Sequence, residues 1–313
     1  MNCRAPVRWL CLAVLDLSGA IPAAAQGSTG QPQESPARPQ VEQLIRQAHA
    51  DVAVAFRSLD GSQQLFIKAD DPFPAAPALI QIPVMIELYA EAQAGTLRLS
   101  DTLTVHNEFR SSLDGSIYHL DPKTDPDQDL YKMIGKPIAL RDLCEHMVAR
   151  NSSLAADLLI EKIGIDRINQ RIDALHAGGV QITHALEPRK PGDPKPDDAA
   201  SARSVMELLW TLAKGQDTGG DSGKEMVGMM ARAASAQPPT AGMPADPRVR
   251  QSVSLVGISD QAMIVYGPHP FVVAILVRGI TNREAVAELE ALIEHALAAG
   301  LSATPASAPT QPR

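Results

Sequence analysis

Strand signals occupy the two ends of this 313-residue chain, and a long stretch of helical signals separates them. Near the start, residues 52–58 and 63–69 read as strands flanking Asp60-Gly61, a pair suited to the positive φ of a tight hairpin. Near the end come strands at 253–257 and 263–266 and the unbroken apolar run 271–277. Between them, helical spacing recurs at 80–94 (stopped by Gly95), 142–150, 154–163, 165–175, 202–214 and 224–234. Further helices bracket the strands, one at 41–49 and one at 282–298 with Val286, Leu289, Ile293 and Leu297 on one face. A hairpin from one end and three strands from the other bury their edges most simply in one sheet. The predicted class is therefore α/β (α+β): a five-stranded antiparallel sheet flanked by the terminal helices, with an all-helical lobe inserted in the middle. A cleft between lobe and sheet is the natural ligand site.

The termini read differently. Arg4 and Arg8, an apolar stretch from residue 9 to 14 and the small residues Ala23-Ala24-Ala25 have the pattern of a secretory signal over 1–25. That stretch is far short of the ~20 apolar residues a membrane-spanning helix needs, so no transmembrane span is expected. The expected location is outside the cytoplasm, periplasmic or extracellular. Residues 26–40, rich in Gly, Pro, Gln and Ser, predict a flexible lead-in, and 301–313 a disordered tail, leaving 41–300 as the folded domain. Cys3 and Cys11 fall in the signal, so Cys144 alone remains and no internal disulfide forms. Loss of Arg4, Arg8 and Asp16 takes the net charge from −8 to −9. An acidic chain with no basic stripe does not suit nucleic acid. His106, His119, His146 and His184 lack metal-ligand spacing, so no metal or other cofactor is expected.

Several segments carry a family resemblance. Asn107-Glu108-Phe109-Arg110-Ser111-Ser112-Leu113-Asp114-Gly115-Ser116 resembles the "NEF-S-x-x-DGS" segment of class A β-lactamase-like serine hydrolases. Leu154 to Ile160 is similar to that family's "LATNLLI" helix, Ile82 to Tyr89 to the helix behind its nucleophile, and Phe271 to Ile280 to the strand ending in "L-x-RG". The likeness runs from about residue 52 to 297 and implies the β-lactamase-like fold.

The same resemblance locates the chemistry, which in this family uses S-x-x-K, S-D-N and K-T-G. A serine hydroxyl needs a neighbouring base, and a lysine three residues on lies on the same helical face. In this chain the serine position holds Ala78 and the lysine position Gln81. The S-D-N positions hold Asn151, Ser152 and Ser153. K-T-G becomes Gln251-Ser252-Val253, or Ser252-Val253-Ser254 when counted from the other side, and neither register has a lysine. A later family aspartate falls on Gln261, and the helix asparagine on Asp157. Glu187 falls on the glutamate that activates the deacylating water, at the head of a loop bearing Pro188, Pro191, Pro194 and Pro196. No lysine anywhere has a serine three residues before it, so no shift of the alignment restores the missing pair.

These losses predict a pseudoenzyme: an exported protein that binds a cell-wall peptide, a β-lactam-like small molecule or a protein partner. The candidate cleft residues for that role are Ser152, Ser252, Val253 and Gln261. Two alternatives stay open. One is a serine hydrolase or β-lactamase-family enzyme with relocated chemistry, drawing on Glu187 or on Ser111, Ser112, Ser152 or Ser153. The other is a decaying gene with no stable product. Cys144 and the helically spaced Met226, Met229 and Met230 are expected in the core.

Overall fold

The computed structural model describes residues 31–75, 77–112, 114–188, 198–215, 220–235, 248–255 and 258–302. The expected signal and the expected tail beyond Ser302 lie outside them. In chain order the described elements are β1 (Gln33–Glu34), α1 (Arg38–Ala48), β2 (Asp51–Ser58), β3 (Gln63–Ile67), β4 (Phe73–Pro74), α2 (Pro77–Gln93), β5 (Thr102–Thr104), β6 (Phe109–Arg110), β7 (Ile117–Tyr118) and α3 (Gln128–Tyr131). They continue with β8 (Pro137–Ala139), α4 (Leu140–Ala149), α5 (Ser153–Ile163), α6 (Ile165–Ala174), β9 (Ala199–Ala200), α7 (Ala202–Lys214), α8 (Gly220–Ser235), β10 (Arg248–Leu255), β11 (Ile258–Val265), β12 (Phe271–Arg278) and α9 (Arg283–Ser302).

The apolar run at 271–277 is explained by its place. β12 lies in the middle of the main sheet, whose order is β1-β3-β2-β12-β11-β10. Both of its faces are buried, so neither can be polar. Its residues alternate between two cores as a strand of period two must. Phe271, Val273, Ile275 and Val277 join α1 and α9 on one face, while Val272, Ala274 and Leu276 join the helical lobe on the other. Neighbouring β2 splits the same way, with Val52, Val54 and Phe56 towards the terminal helices and Ala53 and Ala55 towards the lobe. The small residues on the lobe face let α7 pack directly over β2 and β12.

The five long strands pair antiparallel, as expected. A sixth strand, β1, adds parallel to β3 at the edge through two residues only. That short pairing lies in the segment expected as a lead-in, and α1 also begins inside it, with proline in its first turn, where the missing N–H costs nothing. At the other end α9 continues past Ala298 to Ser302 because Gly300 carries no side chain: a Cβ there would sit 3.0 Å from the Cβ of Ala37. Gly61 takes the positive φ, 75°, that the β2–β3 turn was expected to need. The inserted lobe places α2 against α4, α5 and α6. Met226, Met229, Met230 and Cys144 are all buried there, as their spacing implied.

Candidate functional site

The start of α2 is buried from every side. Ala78 and Gln81 are each 1% exposed and lie one turn apart on that helix. An amide in such a place must find partners, because an unpaired buried polar group costs ~1–3 kcal/mol. The Gln81 Nε2 donates to Oδ1 of Asn151 at 2.8 Å, across 70 positions of sequence. Asn151 sits between α4 and α5 at φ 55°, in the left-handed region that asparagine tolerates better than most residues. The structure thus brings together three of the positions named from sequence, Ala78, Gln81 and Asn151.

Ser152 and Ser153 follow immediately, and their roles are local. Ser152 is fully buried and caps α5, its Oγ accepting from the Ala155 N–H at 3.3 Å. The same helix end is held by Asp125, whose Oδ2 accepts from the Leu154 N–H at 2.9 Å and from the Tyr131 hydroxyl at 3.1 Å. A carboxylate at a helix N-terminus offsets the exposed N–H groups and the helix dipole. Ser153 is the first residue of α5 and half-buried. Of the other serines considered, Ser111 is buried, and Ser112 is exposed with its Oγ donating to the Thr183 carbonyl at 3.4 Å. Replacing the cap, Ser152→Ala, is expected to lower stability by about 1 kcal/mol in urea denaturation, the ordinary value of such a residue. A loss near zero would show that Asp125 holds the helix end alone.

Glu187 is half-buried in a loop that α5 anchors from behind. The Leu186 N–H donates to Asp157 Oδ1 at 2.6 Å, and the Tyr118 hydroxyl donates to Asp157 Oδ2 at 2.9 Å. Asp157 is 1% exposed, and burial raises its pKa to about 7 despite those two hydrogen bonds. Glu187 adds a like charge that pushes the same way, while His184 opposes it. The sign for stability follows. The unfolded carboxyl ionises near 3.8 and the folded one near 7, so the folded state holds a proton that the unfolded state has lost between those values. The contribution is full below the unfolded value and is lost as pH rises through the folded value, at up to ~1.4 kcal/mol per unit. Urea midpoints between pH 4 and pH 8 are expected to show Asp157→Asn falling less with pH than the natural protein. Parallel pH profiles would remove Asp157 from that account. The proline-rich part of the loop, 189–197, lies outside the described residues.

The remaining positions lie on the sheet. Gln251, Ser252 and Val253 fall on β10 and pair in register with Ala262, Gln261 and Asp260 of β11. Two of the named cleft residues, Ser252 and Gln261, are therefore direct neighbours across the strands. Gln261 is buried, and its Oε1 has no hydrogen-bond partner among the described residues. β10 packs against α2, the helix of Ala78 and Gln81. The side chains of 251–253 lie outside the described residues.

Sequence reasoning missed Asp125, Tyr118 and the pair His146–Asp127, in which a ring nitrogen meets a carboxylate that is 3% exposed. Asp125-Pro126-Asp127 reads as a turn, and nothing in it signals that both carboxylates are buried against α4 and α5. Among the described residues no group of three His, Cys, Asp or Glu could hold a metal ion, and no helix is long and apolar enough to cross a membrane.

Several solved structures share this fold. A β-lactamase from Sphaerobacter thermophilus aligns with a TM-score of 0.69 at 18% identity, over 85% of this chain and 98% of that one. The structure of PBP-A aligns with a TM-score of 0.70 at 18% identity, over 86% and 99%. A β-lactamase from Chitinophaga pinensis aligns with a TM-score of 0.67 at 18% identity, over 85% and 98%. At that identity they establish the fold alone. No curated protein matches the chain. The model of the β-lactamase enzyme family matches residues 36–297, most of the sequence, and the chain belongs to that family.

Proposed function

We propose that this chain is an exported β-lactamase-family protein that binds a ligand of the family's kind, a cell-wall peptide or β-lactam-like small molecule, without forming an acyl-enzyme. The observation that carries the reading is the Gln81–Asn151 hydrogen bond at 2.8 Å beside a buried Ala78. An alanine methyl has no lone pair to attack a carbonyl, and an amide nitrogen takes no proton at neutral pH. The two groups fill the place of nucleophile and base with a neutral contact. The leader-like pattern at 1–25 supports export. Capture of Ser152 as a helix cap supports the loss of acyl transfer over its relocation to that residue.

The test is to incubate the purified protein with penicillin G and a stem peptide, then measure intact mass and heats of binding. Saturable binding with unchanged mass supports the proposal. A covalent adduct on any serine, or labelling by a fluorophosphonate probe, would overturn it in favour of a serine hydrolase. An N-terminus beginning after Ala25 in material recovered from outside the cytoplasm tests export separately.

A further inference from the structure

Asn151 stands between the caps of two helices, Arg150 at the end of α4 and Ser152 at the start of α5. Its φ of 55° turns the chain sharply at that corner, a conformation a non-glycine residue keeps only where its surroundings over-determine it. The backbone contributes one tie across the corner, the Ser152 N–H donating to the His146 carbonyl at 3.2 Å. The reach of Asn151 Oδ1 to Gln81 therefore depends on what holds the two helix ends.

A segment upstream of both helices holds them. Asp125 and Asp127 stand on either side of Pro126 and are 5% and 3% exposed. Each takes one helix. Asp127 meets the last turn of α4, where its Oδ2 contacts Nδ1 of His146 and its Oδ1 lies 3.6 Å from Nη1 of Arg150. Asp125 meets the first turn of α5, where its Oδ2 accepts from the Leu154 N–H at 2.9 Å and lies 3.5 Å from Ser152 Oγ. The two carboxylates are tied to each other, since Asp125 Oδ1 accepts from the Asp127 N–H at 2.9 Å. The Tyr131 hydroxyl of α3 braces Asp125 from a third side at 3.1 Å. The charges suit the helix dipoles: a carboxylate faces the N-terminus of α5, and two basic side chains end α4. Burying carboxylates is unfavourable unless they are paired and hydrogen-bonded. The partners just named all belong to this one corner, so the arrangement fixes the corner and little else.

We propose that Asp125 and Asp127 are positioning residues of the candidate site. They hold the ends of α4 and α5 so that Asn151 keeps its left-handed turn and its Oδ1 stays on Gln81. The consequence for a ligand rests on the functional reading above. A site that binds without acylation gains from a preformed wall, and its apparent affinity falls with the fraction of molecules in which that wall is in place.

The experiment follows the Gln81 side-chain amide by NMR in the whole protein carrying isotopically labelled glutamine, with the signal assigned by its loss in Gln81→Leu. Asp125→Ala is expected to shift that signal and to speed its hydrogen exchange about tenfold. Asp125→Asn keeps an acceptor for the Leu154 N–H and the Tyr131 hydroxyl and is expected to restore most of the protection. Asp127→Asn is expected to change the signal in the same direction as Asp125→Ala. Ile293→Val, a core truncation in α9 on the opposite face of the sheet, controls for lost stability and is expected to leave the signal in place. A Gln81 signal unmoved in Asp125→Ala, or moved as much by Ile293→Val, would overturn the proposal. If Asp125→Ala does not fold, Asp127→Asn decides by the same signal, and no change there would overturn it. Calorimetry with penicillin G is expected to show affinity about tenfold weaker in Asp125→Ala and unchanged in Ile293→Val. Affinity unchanged while the Gln81 signal moves would overturn the link to the ligand. Absence of penicillin binding by the natural protein would overturn the functional reading alone, because the Gln81 signal is read without ligand.

Discussion

A chromogenic cephalosporin incubated with the purified protein is expected to open no faster than in buffer. Removing the nucleophile of a serine hydrolase lowers turnover by about 10⁶, which is ~8 kcal/mol of barrier. On the proposed reading the base position is changed as well, and effects within one catalytic unit do not add, so the expected loss stays near that figure. The complementary result is a gain. In Ala78→Ser/Gln81→Lys/Gln251→Lys, the new hydroxyl and ammonium stand one turn apart at the start of α2. The lysine inherits the Asn151 Oδ1 acceptor that Gln81 now uses. Burial lowers the pKa of a lysine, which is what a base at neutral pH needs. The third change restores a cation to β10, which packs against α2. Turnover by the variant above the natural protein places the reaction at these positions. Clear turnover by the natural protein would move the chemistry to another residue, with Ser153 and Ser112 the more accessible serines to mutate next.

The sequence carried the architecture because the strongest patterns were those the core enforces. β12 is apolar throughout because both its faces are buried, and Val286, Leu289, Ile293 and Leu297 of α9 all reach the core they were expected to reach. The two-stranded pairs β4–β9, β5–β8 and β6–β7 were not legible, since two or three residues are too few to show a period. β11 begins at Ile258, earlier than expected, because Ser259, Asp260 and Gln261 look like a turn in sequence yet are buried in the sheet. Their partners lie far along the chain: Glu290 of α9 accepts from the Ser259 hydroxyl at 2.8 Å, and Arg278 pairs with Asp260. The same distance hid the carboxylates of α2. Glu87 and Glu91 are buried because Arg171 and Arg167 of α6 meet them, and no local pattern encodes that meeting. For the candidate site, the family resemblance named Gln81 and Asn151 separately, and only the fold joined them. Tyr118, which fixes Asp157, sits in a hairpin whose pairing could not be read.

The largest stability effect is expected at the Arg278–Asp260 pair. Asp260 is fully buried, the Arg278 side chain is 13% exposed, and Nη1 lies 2.6 Å from Oδ1. Arg278 also donates to the Val277 carbonyl at 2.8 Å and to the Pro74 carbonyl of β4, and its guanidinium lies 5.1 Å over the ring of Phe73. One side chain therefore ties the ends of β11 and β12 to the strand leading into α2. Taking the guanidinium away removes the Arg278 cation from a carboxylate in the sheet interior, and breaking such a buried pair costs ~3–5 kcal/mol. Arg278→Met, which keeps the length and apolar stem, is expected to lose about that much in urea unfolding. Removing the charge from both sides is a different matter, because an apolar pair of similar volume avoids the desolvation of two ions. Arg278→Met/Asp260→Leu is therefore expected to recover most of the loss, the remainder reporting the contacts to Pro74 and Phe73. A single-variant loss below ~1 kcal/mol would mean that the pair with Arg278 adds no more than a surface ion pair does. A double variant no more stable than the single would mean that the contacts at β4, and not the charge, hold this corner of the fold.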